Sequence, residues 1–215
     1  MLKPLLKQSK VRDRVISRRT GVINQLRALL LERGVTFRKG RRYLRRQMPL
    51  ILEDAEQNLA SRMRRLLEQL WQEWKSLEEQ IQRLSDEIES IAQQDAACQR
   101  LLAVPGVGSL VATALVASVG DGTAFRKGRE FAAWLGLVPR QFSTGGKTKL
   151  LGISKRGNPY LRRLFIHGAR SVAMHLNRDE HSLGTWMNQL ESRAHHNVFL
   201  SLRSPTSWPG LPGLF

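Results

Sequence analysis

Cysteine is almost absent from this sequence: Cys98 is the only one in 215 residues. A disulfide within the chain is therefore excluded, and so is a zinc site built from cysteines; a reducing, cytoplasmic setting is expected. Long apolar runs are missing as well. None approaches the ~18–20 residues needed to cross a bilayer, so no membrane partner is expected. The start, Met-Leu-Lys-Pro, has no apolar stretch of the secretory kind. Acidic residues are scarce, 18 against 35 Lys and Arg, which leaves a formal net charge of +17. Such a surplus suits a polyanion, and nucleic acid is the leading class of partner.

The scarcity of acid is local. Residues 1–50 hold 15 basic and 2 acidic residues, whereas residues 51–100 hold 6 and 11. Residues 101–215 are basic again, with 14 against 5. A basic arm, an acidic rod and a basic domain describe the chain better than uniform basicity. In the arm, Val15, Val22, Ile23, Leu26, Leu29 and Leu30 lie near one face of a helix expected over 11–32, with Gly34 as its stop. The run from Arg38 to Arg46 carries six basic residues around Tyr43 and Leu44 and is read as a phosphate-contacting face.

From Asn58 to about Gln94 no Gly or Pro interrupts a helical pattern. Its apolar ladder, Met63, Leu66, Leu70, Trp74, Leu77, Ile81, Leu84, Ile88 and Ile91, keeps steps of three and four with one 3-4-4 stretch. That spacing predicts a coiled coil, within or between chains, and with it a homo-oligomer. Three further helices are expected over Ser109–Val119, Gly128–Leu135 and Pro159–His175, the last with proline at its first position. Residues 140–158 read as a glycine-rich polar loop, and no set of strands is expected. The fold class is therefore all-α: long coiled-coil helices and a compact helical domain.

Two motifs carry chemistry. Pro105-Gly106-Val107-Gly108 between two helices resembles a helix-hairpin-helix turn. Its glycines free the backbone, and exposed amides with the next helix N-terminus can hold a phosphate oxygen. An ordinary helix–helix turn has the same punctuation. The second motif is Ser143-Thr144-Gly145-Gly146-Lys147. Between residues 122 and 178 the sole acid is Glu130, against twelve basic residues. A hydroxyl in a glycine-rich, cation-lined loop suits attack on a phosphodiester. The same loop could equally hold phosphate without covalent chemistry. Candidate DNA contacts are Pro105, Gly106, Val107, Gly108, Arg140, Gly145, Gly146, Lys147, Lys149, Lys155 and Arg156. The Walker A spacing is absent. The histidines (167, 175, 181, 195 and 196) and the lone Asp179-Glu180 pair suggest no metal site.

Four blocks stand in one order: the Pro-Gly-Val-Gly turn, Ala-Ala-Trp-Leu-Gly-Leu-Val-Pro at 132–139, the Ser-Thr-Gly-Gly-Lys loop and Ile-Ser-Lys-Arg-Gly-Asn at 153–158. In this they resemble the C-terminal domain of the IS one-ten class of bacterial insertion-sequence transposases, grouped with IS one-one-one-six and IS nine-oh-two as "transposase 20". Arg18–Leu30 resembles the end of that family's N-terminal domain, and the acidic helix resembles its coiled-coil linker. The resemblance implies DNA transposition by a serine nucleophile, here Ser143 with Thr144 adjoining. It implies a structured guide RNA as a partner besides DNA. It also implies a separate N-terminal nuclease domain whose four acids hold magnesium. Asp13 is the one acid before Glu32, so no cofactor is expected for this chain, and magnesium only for the full-length family enzyme. The chain is accordingly read as N-terminally truncated and inactive alone. Its expected parts are a basic arm over 1–50, a coiled-coil linker over 51–97, a serine transposase domain over 98–198 and a frameshifted tail over 199–215. The alternatives are a non-catalytic helix-hairpin-helix module that binds nucleic acid, or the product of a decaying reading frame.

Overall fold

The computed structural model describes residues 3–36, 38–53, 59–120 and 122–193. The expected tail over 199–215 and the His195-His196 pair lie outside the described residues. Eight helices and one two-stranded sheet occur among those described. In chain order they are α1 (Lys3–Leu31), α2 (Arg41–Glu53), α3 (Ser61–Gln94), α4 (Ala96–Leu102), α5 (Ser109–Val119), α6 (Gly128–Leu135), β1 (Pro139–Thr144), β2 (Lys147–Ile153), α7 (Pro159–His175) and α8 (Leu183–Arg193). The fold is mostly α, as the helical periodicity implied. Two compact units divide it, one over residues 10–87 and the other formed by the chain before and after that stretch.

The 10–87 unit is a three-helix core. Val15, Val22, Leu26 and Leu30 of α1 meet Leu44, Met48 and Ile51 of α2 and Leu67, Trp71, Trp74, Leu77 and Ile81 of α3. Trp71 and Trp74 stack with ring centroids 4.7 Å apart. Polar contacts give the direction of packing. Arg12 Nε donates to Ser85 Oγ at 2.7 Å, Arg19 pairs with Glu78, and Arg18 reaches Glu73 at 3.2 Å. Residue numbers rise along α1 as they fall along α3, so the two helices are antiparallel. The apolar ladder of α3 thus finds partners on its own chain.

The first half of that ladder is displaced by one residue from the expected one. Leu67 is fully buried and Leu66 is 44% exposed, and Trp71 joins Trp74 in the core. The cause is a third helix: α2 covers a wider stripe of α3 than the two-helix seam of a coiled coil requires. The basic run and the long helix, distinct in charge, therefore share one core.

The second unit gathers around α5. Val111 to Val116 are all buried, which fits a helix that is apolar on every side. Cys98, Leu101, Val107, Phe131, Leu135, Leu137, Tyr160 and Leu161 pack about it. Caps fix the helix ends. Asp95 accepts from Cys98 N at 2.8 Å to start α4, and Asn158 accepts from Tyr160 N at 3.0 Å to start α7, with Pro159 next. Thr113, fully buried, donates its hydroxyl to Ser109 O at 2.7 Å and so adds no unmet polar group.

The polar stretch after Val138 corrects the expectation of an unbroken loop. Strands β1 and β2 form an antiparallel hairpin with Thr144 opposite Lys147 across a two-residue turn. Gly145 and Gly146 have φ of 57° and 76°, the pair of positive values that a type I′ turn requires. The strands lack an apolar alternation because every residue from Pro139 to Gly152 is exposed, so the usual periodicity signal had nothing to report.

Leu67→Ala should cost about 2–5 kcal/mol of stability, as deletion of a buried side chain does, whereas Leu66→Ala should stay within about 0.5 kcal/mol. Urea unfolding of the two variants measures both. Equal losses would restore the unshifted ladder.

Candidate nucleic-acid interface

The hairpin stands on a base made of backbone. Helix α6 ends at Gly136 in the left-handed region, φ 73°, and a Cβ there would lie 1.7 Å from the Arg156 carbonyl oxygen. From the other side, Gly157 has φ 98°, and its Cβ would lie 2.0 Å from the Trp134 carbonyl oxygen. Lys155 N donates to Gly136 O at 3.0 Å and Ser154 N to Val138 O at 2.8 Å. Arg162 of α7 closes the clamp, donating from Nη1 to Leu135 O at 3.1 Å and to Arg156 O at 3.4 Å. Thus the block 153–158 anchors the ribbon to α6 and α7. Its side chains Lys155 and Arg156 remain exposed beside the base.

Along the ribbon, register decides which side chains share a face. Phe142 is opposite Lys149, Ser143 opposite Thr148, Gln141 opposite Leu150 and Thr144 opposite Lys147. Cross-strand partners point the same way and neighbours in sequence point apart. One face therefore carries Phe142, Thr144, Lys147 and Lys149. The other carries Gln141, Ser143, Thr148 and Leu150. The hydroxyl of Ser143 accepts from Gln141 Nε2 at 2.9 Å. Ser143 and the lysines expected to flank it are close in sequence but lie on opposite faces of the ribbon. Arg140 and the Gly145-Gly146 turn are exposed.

The Pro105–Gly108 turn joins α4 to α5. Here Gly106 has φ 82°, and its Cβ would lie 2.7 Å from Gly168 O of α7; the reverse contact, from a Cβ on Gly168 to Gly106 O, is 2.1 Å. The first glycine of the motif is thus needed for backbone packing. Val107 is buried in the core and Pro105 half-buried. Gly108 is exposed, N-caps α5 without a side-chain cap, and its carbonyl accepts from Val111 N and Ala112 N. The backbone at 108–110 is the part of the turn that can meet a phosphate.

Not every cation of 122–178 is free for such a role. Arg162 serves the clamp, Arg178 pairs with Glu191 and Asn188, and Arg163 lies 5.5 Å from the Tyr160 ring centre. Arg140, Lys147, Lys149, Lys155 and Arg156 are exposed. Glu130, exposed, accepts from Arg126 N at 2.9 Å. No group of three or more His, Cys, Asp or Glu comes together among the described residues. His167 is exposed on α7. Burial, with the Asp95 carboxylate beside it, pushes the Cys98 thiol up to about 12 from 9.0, which keeps it protonated and unreactive at neutral pH.

Residues 98–183 match the model of the family described as Transposase IS116/IS110/IS902. The transposase of insertion sequence element IS1111A from Coxiella burnetii is 42% identical over 184 residues, 86% of this chain and 50% of that protein. The transposase of element IS1328 from Yersinia enterocolitica is 39% identical over 189 residues, 88% of this chain and 56% of that protein. The chain is thus similar to these transposases over most of its length and matches the IS116/IS110/IS902 family over residues 98–183. It spans about half the length of these relatives. The matched transposase segment runs from the start of α4 into α8 and so takes in the turn, the hairpin and the clamp. No described helix is long and apolar enough to cross a membrane. Reasoning from sequence missed Arg162 and the two clamp glycines as structural residues. Their signal was present in the spacing of Gly136 and Gly157 at helix and strand ends.

Gly157→Ala should destabilise the chain by at least about 2 kcal/mol, since it adds a steric clash to a positive φ. Gly152→Ala, in the open strand, should be neutral or slightly stabilising. Thermal melts of both variants check the difference, and a harmless Gly157→Ala would remove the clamp.

Proposed function

We propose that this chain acts in DNA transposition as the DNA-contacting, serine-bearing part of an insertion-sequence transposase. The observation that carries the reading is the hairpin: a fully exposed ribbon with Arg140, Lys147 and Lys149 on it and Lys155 and Arg156 at its foot. Cations held on a rigid base can neutralise phosphates without reading sequence. The exposed backbone at Gly108 and the α5 N-terminus supply further donors of the helix-hairpin-helix kind. Ser143 is the proposed nucleophile, with Thr144 adjoining. Its activation is proposed to need a base or metal brought to it from outside the hairpin, because the hairpin holds no acid and no group of three or more His, Cys, Asp or Glu comes together among the described residues. The chain alone is therefore proposed to bind DNA without reacting, and to use magnesium only with acids supplied by a further domain.

Other partners belong to the same proposal. Arg41, Arg42, Arg45 and Arg46 form an exposed stripe on α2, which suits a structured RNA. Leu66, Leu50 and Leu31, exposed by 44%, 64% and 64%, are available for a second copy of the chain. The cytoplasm, where DNA and RNA are accessible, is the proposed setting. A second reading is a non-catalytic binding module, favoured by the uncapped and exposed start of α5.

Filter binding to duplex DNA across a salt series should show a steep fall in affinity, with a log–log slope of about 0.9 for each phosphate contacted. Joint replacement of Lys147, Lys149, Lys155 and Arg156 by Ala should reduce that slope by about 3.6 if each holds one phosphate. A flat response in the parent chain would end the DNA reading.

Incubation with labelled element-end DNA and magnesium should give no covalent adduct with this chain alone. Adding the N-terminal half of a relative in trans should produce one that Ser143→Ala abolishes. An adduct untouched by Ser143→Ala would transfer the chemistry to another residue and leave the binding-module reading for this one.

A further inference from the structure

Phe142 is 60% exposed in the middle of the hairpin, directly opposite Lys149, with the Thr144–Lys147 pair nearer the turn on the same face. An aromatic ring costs free energy in water, and nothing in the fold of the hairpin needs it there. On this face the apolar group lies on β1 and both ammonium groups on β2. The remaining face is uncharged, bearing Gln141, Ser143, Thr148 and Leu150.

We propose that the Phe142–Lys147–Lys149 face enters the minor groove of duplex DNA, with Phe142 wedged between two base pairs while the two lysines hold one phosphate strand. This deepens the DNA-binding reading above and rests on it. Three considerations support the assignment. The charge is complementary to a phosphate backbone, and between residues 122 and 178 only Glu130 opposes it. The paired strands stand about 4.8 Å apart between axes, and backbone and side chains on either side make the whole ribbon wider than a minor groove of about 6 Å, so entry requires the groove to open. An apolar wedge opens it by unstacking one step and kinking the duplex. A second copy of the chain is the weaker occupant, because pairing this face with its own symmetry mate would set lysine against lysine.

The test uses the full chain and duplexes with 2-aminopurine placed next to a flexible pyrimidine–purine step. Unstacking raises the fluorescence of this base. The parent chain should raise it several-fold on binding. Phe142→Ala should lose the rise and about tenfold in affinity while keeping the salt slope, since the ring touches no phosphate. Phe142→Tyr should preserve the rise, and Leu150→Ala, on the other face, should change neither quantity. Matching circular dichroism melts would show that the exposed substitutions leave the fold intact. Salt-dependent binding with no rise in the parent, or a rise that survives Phe142→Ala, would overturn the wedge and leave DNA binding standing. A sedimentation shift caused by Phe142→Ala would assign the face to a second copy instead. Absence of any binding would bring down both proposals.

Discussion

The placement of every functional candidate near the hairpin depends on one contact between backbones, where the chain leaving α6 crosses the chain entering α7. Gly136 and Gly157 bring their Cα atoms against the carbonyls of Arg156 and Trp134 at separations that a Cβ would fill. Side chains cannot substitute for this contact, because any side chain at either position is what prevents it. Once the crossing is made, the hydrogen bonds from Ser154 and Lys155 set the register at the foot of the ribbon, and the guanidinium of Arg162 holds both carbonyl-bearing segments. A ribbon with no buried residue along its strands has no core of its own to fix its direction. Its rigidity has to come from the foot, and so the clamp matters to function as much as to stability.

Charge is divided in a related way. In the 10–87 unit two acids of α3 meet arginines of α1 and α2: Glu73 pairs with Arg18, and Glu78 meets Arg19, Arg41 and Arg45. Arg19 is largely covered in its pair, whereas Arg41 and Arg45 are more than 60% exposed, where ion pairs contribute little and leave the cation available. The hairpin has no acid at all, so its field is not compensated within the fold. The basic surplus thus resolves into arginines that hold helices together and cations that face outward.

Much of this was legible in the sequence, for identifiable reasons. The bounds of α5, α6 and α7 could be read because glycine or a proline at the first helical turn punctuates each of them. The Pro-Gly-Val-Gly turn and the family blocks were equally plain. The hairpin was not, since period-two alternation is a signal of one-sided burial and neither face is buried. The offset between Leu66 and Leu67 was hidden for a different reason. A heptad reading assumes one partner helix, and the register of α3 answers to two, α1 and α2. The packing role of Gly106 was hidden because the sequence shows only a turn, whereas its neighbour Gly168 lies 62 positions away on α7.

The two faces of the ribbon also limit what Ser143 can do unaided. Its oxygen already accepts a hydrogen bond from the Gln141 amide, which is a donor and not a base. The hydroxyl proton therefore has no destination on that face, where Thr148 and Leu150 are the other neighbours. The lysines nearest in sequence point the opposite way, so a phosphate brought to Ser143 would gain little from them at short range. Attack on phosphorus builds negative charge on the phosphoryl oxygens and leaves a proton to be removed. Both demands must be met by groups that approach the Gln141–Ser143–Thr148 face from outside the hairpin. A ribbon held rigidly at its foot and open on that face is suited to receiving them, and under the proposed function the separation of hydroxyl from cations would keep DNA binding independent of the chemistry.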